Sequence, residues 1–329
     1  MHQDLNTLKK ITHSITGDLE LYQKEFDNAL HSEVSLINTI AKYMMRNRGK
    51  NIRPILTILS ARLCGEPKAN TYKAAAMVEL LHIATLVHDD VVDDATLRRG
   101  RASVNKIWKN KLSVLMGDFI LSKALINMID LRDFDALAQI SKTAEELSAG
   151  EILQVEKSFS GTMTEDVYFD MIGQKTASLI ATSCELGAIT TTKSNDDRLA
   201  TNSFGKNLGI AFQIKDDLFD LLGKESDTGK NSGGDVKRNM MTLPLIYSKN
   251  TMNRKEYRAL KKLLGTKKKS RRVISEIVEL IDIAGGIDYS KNKLDEYSEL
   301  ALDAIARYPE SNIKQACKDL VAFNKNRVK

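Results

Sequence analysis

Residues 71–93, TYKAAAMVELLHIATLVHDDVVD, contain no glycine or proline and carry apolar side chains around most of a helical circumference. A helix apolar on most faces has to be buried among other helices. The same pattern returns at 112–130, 135–158, 168–189, 198–222, 272–284 and 291–307, and runs of alternating apolar and polar residues are absent. The expectation is an all-α chain. Breaks fall at 64–70, 98–103, 158–164, 223–234 and 307–311. Composition does not shift along the 329 residues and there are only four prolines, so one domain over 1–329 is expected.

The founding helix ends in acids: Asp89, Asp90 and Asp93. A second copy stands at Asp216, Asp217 and Asp220 on another apolar stretch, and both have the form DDxxD. On a helix, positions i, i+1 and i+4 lie at about 0°, 100° and 40°, so the three carboxylates of each copy project the same way. Like charges this close repel, and burial raises their pKa values. Something cationic must sit among them. Arginine is one answer, but Arg98 and Arg99 lie past the helix end, in a loop. A hard divalent cation is the other, because it takes oxygen ligands readily. Two acidic rims facing one another would hold magnesium and, through it, a diphosphate.

Basic residues fit the same picture. Arg48, Gly49, Lys50, Asn51, Ile52, Arg53 and Pro54 place cations at a turn leading into a helix, whose N-terminus itself favours anions. Arg98 and Arg99 offer planar forks for phosphate oxygens. Lys175 and Thr176 add a cation and a hydroxyl. His82 lies seven residues before Asp89, on the same face and two turns deeper.

Other classes find less support. The net charge is +6, with much of the excess in clusters such as 261–272 and the tail KNRVK. Aromatic residues make up 6% of the chain and do not interleave with these clusters, so they read as solvated basic surface and no nucleic-acid partner is expected. Cys64, Cys184 and Cys317 are few and far apart, which suits a reducing compartment and neither a disulfide frame nor a zinc site. No signal peptide is evident, no stretch approaches the roughly 20 apolar residues of a membrane span, and a cytoplasmic location is expected.

Together GKNIRP (49–54), HIATLVHDDVVDDATLRRG (82–100), GQKTASL (173–179), QIKDDLFDLLG (213–223) and TGKNSGGD (228–235) resemble the trans-isoprenyl diphosphate synthases, in particular the long-chain polyprenyl type. The resemblance covers about residues 40–250. It implies a single-domain isoprenoid synthase fold, ten or more helices around a central cavity, as a homodimer. It implies that Asp89, Asp90, Asp93, Asp216, Asp217 and Asp220 bind Mg2+, which grips an allylic diphosphate. Arg98, Lys175, Lys215 and Lys230 would contact that allylic prenyl diphosphate. Gly49, Lys50, Arg53, His82 and Arg99 would hold isopentenyl diphosphate. Thr176 and Gln213 would steady the allylic cation. The implied reaction is head-to-tail condensation, with no protein nucleophile.

Chain length follows from the same resemblance. The growing tail would pass Ala84 and Thr85, both small, then Leu81 and Met77, with Leu125 or Met128 as floor. That implies a heptaprenyl to decaprenyl product for quinone side chains, octaprenyl favoured, and peripheral membrane contact for its release. The rivals are a farnesyl or geranylgeranyl synthase, a terpene cyclase and a non-catalytic subunit of a heterodimeric synthase. A cyclase would carry a different second motif and no GKNIRP site. A non-catalytic subunit would lack its aspartates. One departure stands out. The similar sequences place a lysine where this chain has Met240, with Lys237 and Arg238 nearby. Met240→Lys is expected to lower the KM for the allylic substrate in steady-state assays; an unchanged KM counts against a lost phosphate contact.

Overall fold

The 71–93 stretch forms α5 (Ala69–Val92), in which Ala74, Met77, Leu80, Leu81, Ala84 and Val87 are buried. In this computed structural model, residues 2–46, 49–160, 162–223 and 233–327 are described; Arg48 and Lys230 lie outside them. The helices in order are α1 (His2–Ile11), α2 (Thr16–Leu30), α3 (Ser35–Met45), α4 (Ile52–Cys64), α5, α6 (Val104–Leu131), α7 (Phe134–Ser160), α8 (Glu165–Ile172), α9 (Ser178–Ile189), α10 (Asn195–Leu222), α11 (Gly234–Lys237), α12 (Leu243–Thr251), α13 (Arg254–Leu264), α14 (Arg271–Ile283), α15 (Gly286–Ala304) and α16 (Asn312–Asn326). The all-α expectation of ten or more helices is met.

Apolar packing forms two clusters. One lies among α2, α4, α5, α6 and α9; the other among α8, α10, α12, α14 and α15. α10 feeds both, through Phe204 and Leu208 to the first and Ile214, Leu218 and Leu221 to the second. Ser194 caps its start by accepting from the Asp197 N–H. α9 lies between α4 and α10 and packs closely on both.

Three features depart from the sequence expectation. Residues 97–102 form a two-strand hairpin, β1 (Leu97–Arg98) antiparallel to β2 (Arg101–Ala102), rather than an open loop. Its two-residue turn, Arg99-Gly100, has φ of 50° and 78°, the mirror-image turn that matches strand twist. Second, α6 is long and apolar enough to cross a membrane, although no such stretch was expected; 33% of that window is buried. Its backbone leaves helical geometry at Lys109, φ 68°. Third, Leu125 is 46% exposed and so is no floor within this chain, whereas Met128 is buried. Helices at the N-terminus (α1 to α4) and α12, α13 and α16 had not been assigned from periodicity, because they are short or mix polar residues into the stripe.

The α4–α9 contact depends on Gly187. A Cβ there would run into the Thr57 carbonyl oxygen and stand 2.8 Å from Ala61 N. Gly187→Ala is therefore expected to cost about 1–3 kcal/mol of stability by overpacking, read as a lower denaturant midpoint with an unchanged slope.

Candidate active site

α5 and α10 each end in their aspartates, at the helix terminus where the backbone dipole is negative. Carboxylates there are unfavourable without a cation nearby. The hairpin answers first. Its turn sends Arg98 back onto Asp90, with Nε and Nη2 both 2.8 Å from Oδ1. Asp90 is buried, so an arginine does pair with the first motif even though Arg98 lies beyond the helix end. Asp89 is only half-buried. Burial, then the field of Glu151 from α7, raise its pKa to about 6, against Lys175 and Arg98. Lys175 is shared between Glu151 and Gln154 Oε1, at 2.9 Å from the latter. Asp93 is exposed at the helix end.

Lys175 and Thr176 sit on a π turn, Gly173–Ala177, between α8 and α9. Such turns are rare and re-aim side chains. Here glycines hold it from two sides. A Cβ on Gly150 would stand 2.7 Å from Lys175 N, and one on Gly209 2.6 Å from Ala177 Cα. Thr176 Oγ1 donates to Gln213 Oε1 at 2.8 Å.

The second motif divides in the same way. Asp217 is buried and accepts from Tyr168 Oη at 2.7 Å and Gln213 Nε2 at 2.9 Å. Burial dominates its pKa, which rises to about 7 despite those two hydrogen bonds. Asp220 accepts the Gly234 and Asp235 N–H groups at 3.2 and 2.7 Å, and burial raises its pKa. Asp216 keeps a side chain 42% exposed and pairs with Arg327. Arg327 is itself buried, 4.0 Å over the Phe212 ring, and also donates to the Phe212 carbonyl at 3.1 Å. The tail KNRVK is thus not all solvated surface: its arginine turns inward because Asp216 and two aromatic faces receive it. Lys215 donates to the Lys325 carbonyl at 2.6 Å and lies over Phe219.

Arg238 links the two motifs. It donates to Asp235 at 2.8 Å. Burial works against its charge, but the Asp235 hydrogen bond and the fields of Asp235, Asp93 and Asp220 outweigh this and raise its pKa. Met240 follows in the same turn, its N–H on the Asp235 carbonyl.

A cleft of about 600 Å³ opens beside the first motif. Gly49, His82, Arg98 and Arg99 line its polar side together with the acids Glu79 and Asp90; Met44, Ile83, Leu86 and Val87 line its apolar side. His82 is kept neutral: burial, then Arg53, Arg99 and Arg98, push its pKa well below the ordinary value. Burial lowers Arg53 to about 10, and its Nε is buried without a partner. So concentrated a positive field with an orphan donor suits an anion. Gly49 lets the Arg99 guanidinium lie close to its backbone, since a Cβ would stand 2.5 Å from Arg99 Nη2 and push that side chain aside. Lys50 lies apart from this cleft, on Asp4 at 3.0 Å and over Phe323.

Ala84, Leu81 and Met77 are buried along α5, while Thr85 is half-buried with its hydroxyl on the His82 carbonyl at 2.9 Å. None of the four lines the cleft. Sequence reasoning passed over Glu151, Gln154, Tyr168, Asp235 and Arg327. Only the first pair left a signal, since Glu151 and Gln154 follow Gly150 three apart on one helix face.

Among the described residues no three His, Cys, Asp or Glu side chains already converge on one point. The donor set nevertheless fits a hard divalent cation. All donors are carboxylate oxygens, and Asp89 beside Glu151 is a repelling pair that a cation would relieve.

An all-α protein with two acidic helix ends, the first beside an arginine-lined cleft, is of the class that handles diphosphates. The chain belongs to the polyprenyl synthetase family: that family profile matches residues 34–281. It is 33% identical to an all-trans-nonaprenyl-diphosphate synthase (geranyl-diphosphate specific) of Rhodobacter capsulatus, over 95% of this chain and 96% of that one. It is 32% identical to an octaprenyl diphosphate synthase of Haemophilus influenzae, over 99% and 98%. The structure of a Caulobacter crescentus polyprenyl synthase complexed with calcium and isoprenyl diphosphate superposes with a TM-score of 0.90 at 30% identity, covering 99% of this chain and 98% of that one. The protein is accordingly a prenyltransferase.

Raised carboxyl pKa values set a pH trend. Asp89 (about 6) and Asp217 (about 7) keep a proton in the folded protein where the unfolded chain, with carboxyls near 3.8, has lost it. Their contribution to stability is complete below the unfolded pKa and disappears as pH rises through the folded values. The melting temperature of metal-free protein is expected to fall from pH 5 to 8. Asp89→Asn should flatten part of that slope in differential scanning fluorimetry.

Proposed function

We propose that the chain is a long-chain polyprenyl diphosphate synthase, which condenses isopentenyl diphosphate head to tail with an allylic diphosphate, farnesyl or geranylgeranyl. The observation that carries this reading is the pair of acidic helix ends, both felt by Arg238, with the cleft that His82, Arg98 and Arg99 line beside the first of them. Asp89, Asp93 and Asp216 would hold magnesium. Asp90, Asp217 and Asp220, already engaged by protein donors, would serve as the supports that keep those three in place. When bound, magnesium supplies positive charge to the departing diphosphate.

The residues then divide the work. Lys175, Arg98 and Lys215 add charge around the allylic diphosphate, with Lys230 completing the set from outside the described residues. Arg53, His82 and Arg99 bind isopentenyl diphosphate beside Gly49, with Lys50 held away on Asp4. Neutral His82 can donate one N–H without adding to the crowded positive charge. Thr176 and Gln213 turn oxygen toward the allylic cation. The isopentenyl double bond attacks that cation, and the proton lost afterwards goes to the released diphosphate. Arg238 takes up the electrostatic task left by Met240, since the fields of Asp93 and Asp220 both act on it.

Small Ala84 and Thr85 favour a heptaprenyl to decaprenyl product. We further infer one domain, because α10 feeds both apolar clusters. A homodimer would cover the exposed Leu115, Ile126, Ile129 and Phe134 on α6 and α7, the last 85% exposed. That assigns the apolar face of α6 to a subunit contact, with the enzyme in the cytoplasm. Segment 249–272 holds eleven basic residues and one acid, leaving 38 basic and 42 acidic residues elsewhere. This concentrated positive surface suits peripheral contact with an anionic bilayer, where an amphiphilic product would leave.

Purified protein with labelled isopentenyl diphosphate, farnesyl diphosphate and magnesium is expected to yield a product ladder ending at seven or more isoprene units. Arrest at geranylgeranyl length would reject the long-chain reading, and no incorporation would reject prenyl transfer by this chain on its own. Ala84→Tyr is expected to shorten the longest product; an unchanged ladder would place the tunnel elsewhere.

A further inference from the structure

Tyr168 on α8 belongs to none of the sequence motifs, yet it is 1% exposed and its hydroxyl ends on Asp217. It begins a chain of hydrogen bonds across three elements. Tyr168 Oη donates to Asp217 Oδ2 at 2.7 Å, Gln213 Nε2 donates to Asp217 Oδ1 at 2.9 Å, and Thr176 Oγ1 donates to Gln213 Oε1 at 2.8 Å. The polarity of this chain follows from chemistry. A carboxyl oxygen facing an amide NH2 can only accept, whether or not the other oxygen is protonated. Gln213 must therefore turn its NH2 to Asp217 and its carbonyl to Thr176. Thr176 must then spend its single proton on Gln213, which leaves its lone pairs for the site. Were position 217 an amide, Gln213 could sit either way round, and the reversed amide would present N–H toward a developing cation.

We infer that Tyr168 is a positioning residue, which acts through Asp217 to fix the orientation of Gln213 and Thr176 so that oxygen rather than N–H faces the allylic cation. This rests on the proposed prenyl-transfer reading. It also gives Asp217 a task different from that of its neighbour. Asp216 keeps a side chain 42% exposed with one oxygen on Arg327, whereas Asp217 is buried with both oxygens committed to protein donors.

The test compares Tyr168→Phe, Asp217→Asn and the double variant Asp217→Asn/Gln213→Glu with the parent enzyme. Tyr168→Phe keeps the ring and its packing. Loss of an orienting partner typically costs about 10- to 100-fold in activity, and that fall is expected in kcat, with the KM of both diphosphates unchanged. In the double variant the acid and the amide trade places. The glutamate introduced at position 213 accepts from both the new amide at position 217 and the Thr176 hydroxyl. Oxygen again faces the cation, and kcat should recover relative to Asp217→Asn alone. Thermal shifts with magnesium and inorganic pyrophosphate report folding and cation binding apart from turnover, and their magnesium midpoint is expected to match the parent in every variant. An unchanged kcat in Tyr168→Phe, or no recovery in the double variant, overturns the inference. So does a shifted magnesium midpoint in Asp217→Asn, which would make Asp217 a cation ligand. If the parent enzyme itself incorporates no isopentenyl unit, the prenyl-transfer reading fails and this inference with it; a parent that elongates while the variants match it removes this inference alone.

Discussion

Six carboxylates at the negative ends of two helices are the constraint on which the rest of this structure depends. Each helix dipole disfavours them by a modest amount, of order 0.3–1 kcal/mol per exposed charge, and burial disfavours them further. The surrounding elements answer that deficit. The hairpin after α5 doubles back to bring Arg98 onto Asp90. The π turn between α8 and α9 carries Lys175 to Glu151, beside Asp89. The short helix α11 offers backbone N–H groups to Asp220 and brings Arg238 into the fields of Asp93 and Asp220. The C-terminal end lays Arg327 on Asp216. Four chain segments distant in sequence thus converge because of one electrostatic problem.

That convergence separates the aspartates by role. Asp90, Asp217 and Asp220 are held by protein donors and behave as fixed supports. Asp89 and Asp93 keep more oxygen to offer, and Asp216 is part-exposed with one oxygen on Arg327. Beside the first motif, the cleft that His82, Arg98 and Arg99 line offers the opposite charge, so a cation-seeking wall adjoins an anion-seeking one. A substrate pair in which both members carry a diphosphate needs both walls, one reached through divalent cations and one directly. Glycines make the close geometry possible where backbone meets backbone or guanidinium, at Gly49, Gly150 and Gly209.

The helices bearing the motifs were legible because their apolar runs are long and unbroken, as at 71–93 and 198–222. The amphipathic α13 and the short α12 were not, since brief periodic stretches carry less signal than their eventual packing. The motif aspartates, His82, Arg53, Lys175 and Gln213 were all marked by spacing or by the family resemblance; the fold sets Lys175 near Asp89 and Gln213 on Asp217. Lys50, expected in the anion site, is instead tied to Asp4. Tyr168 was invisible, because its significance is a single hydrogen bond to a residue 49 positions away. Arg327 was read as part of a solvated tail, because a charge near a terminus carries no mark of whether it turns inward.

The sequence by itself determined that the chain is helical, that two DDxxD copies project their acids from helix ends, and that these residues resemble a prenyl-transferring family. These are local properties: they depend on residue type and on the 3.6-residue period, which a linear reading can follow. Only the tertiary structure decided which aspartates are committed to protein partners and which stay open, that Arg98 folds back to pair with its own motif, and that Arg327 closes over the other. Those outcomes depend on distances between segments far apart in the chain. Coulomb and hydrogen-bond energies at a few ångströms distinguish positions that sequence spacing leaves equivalent.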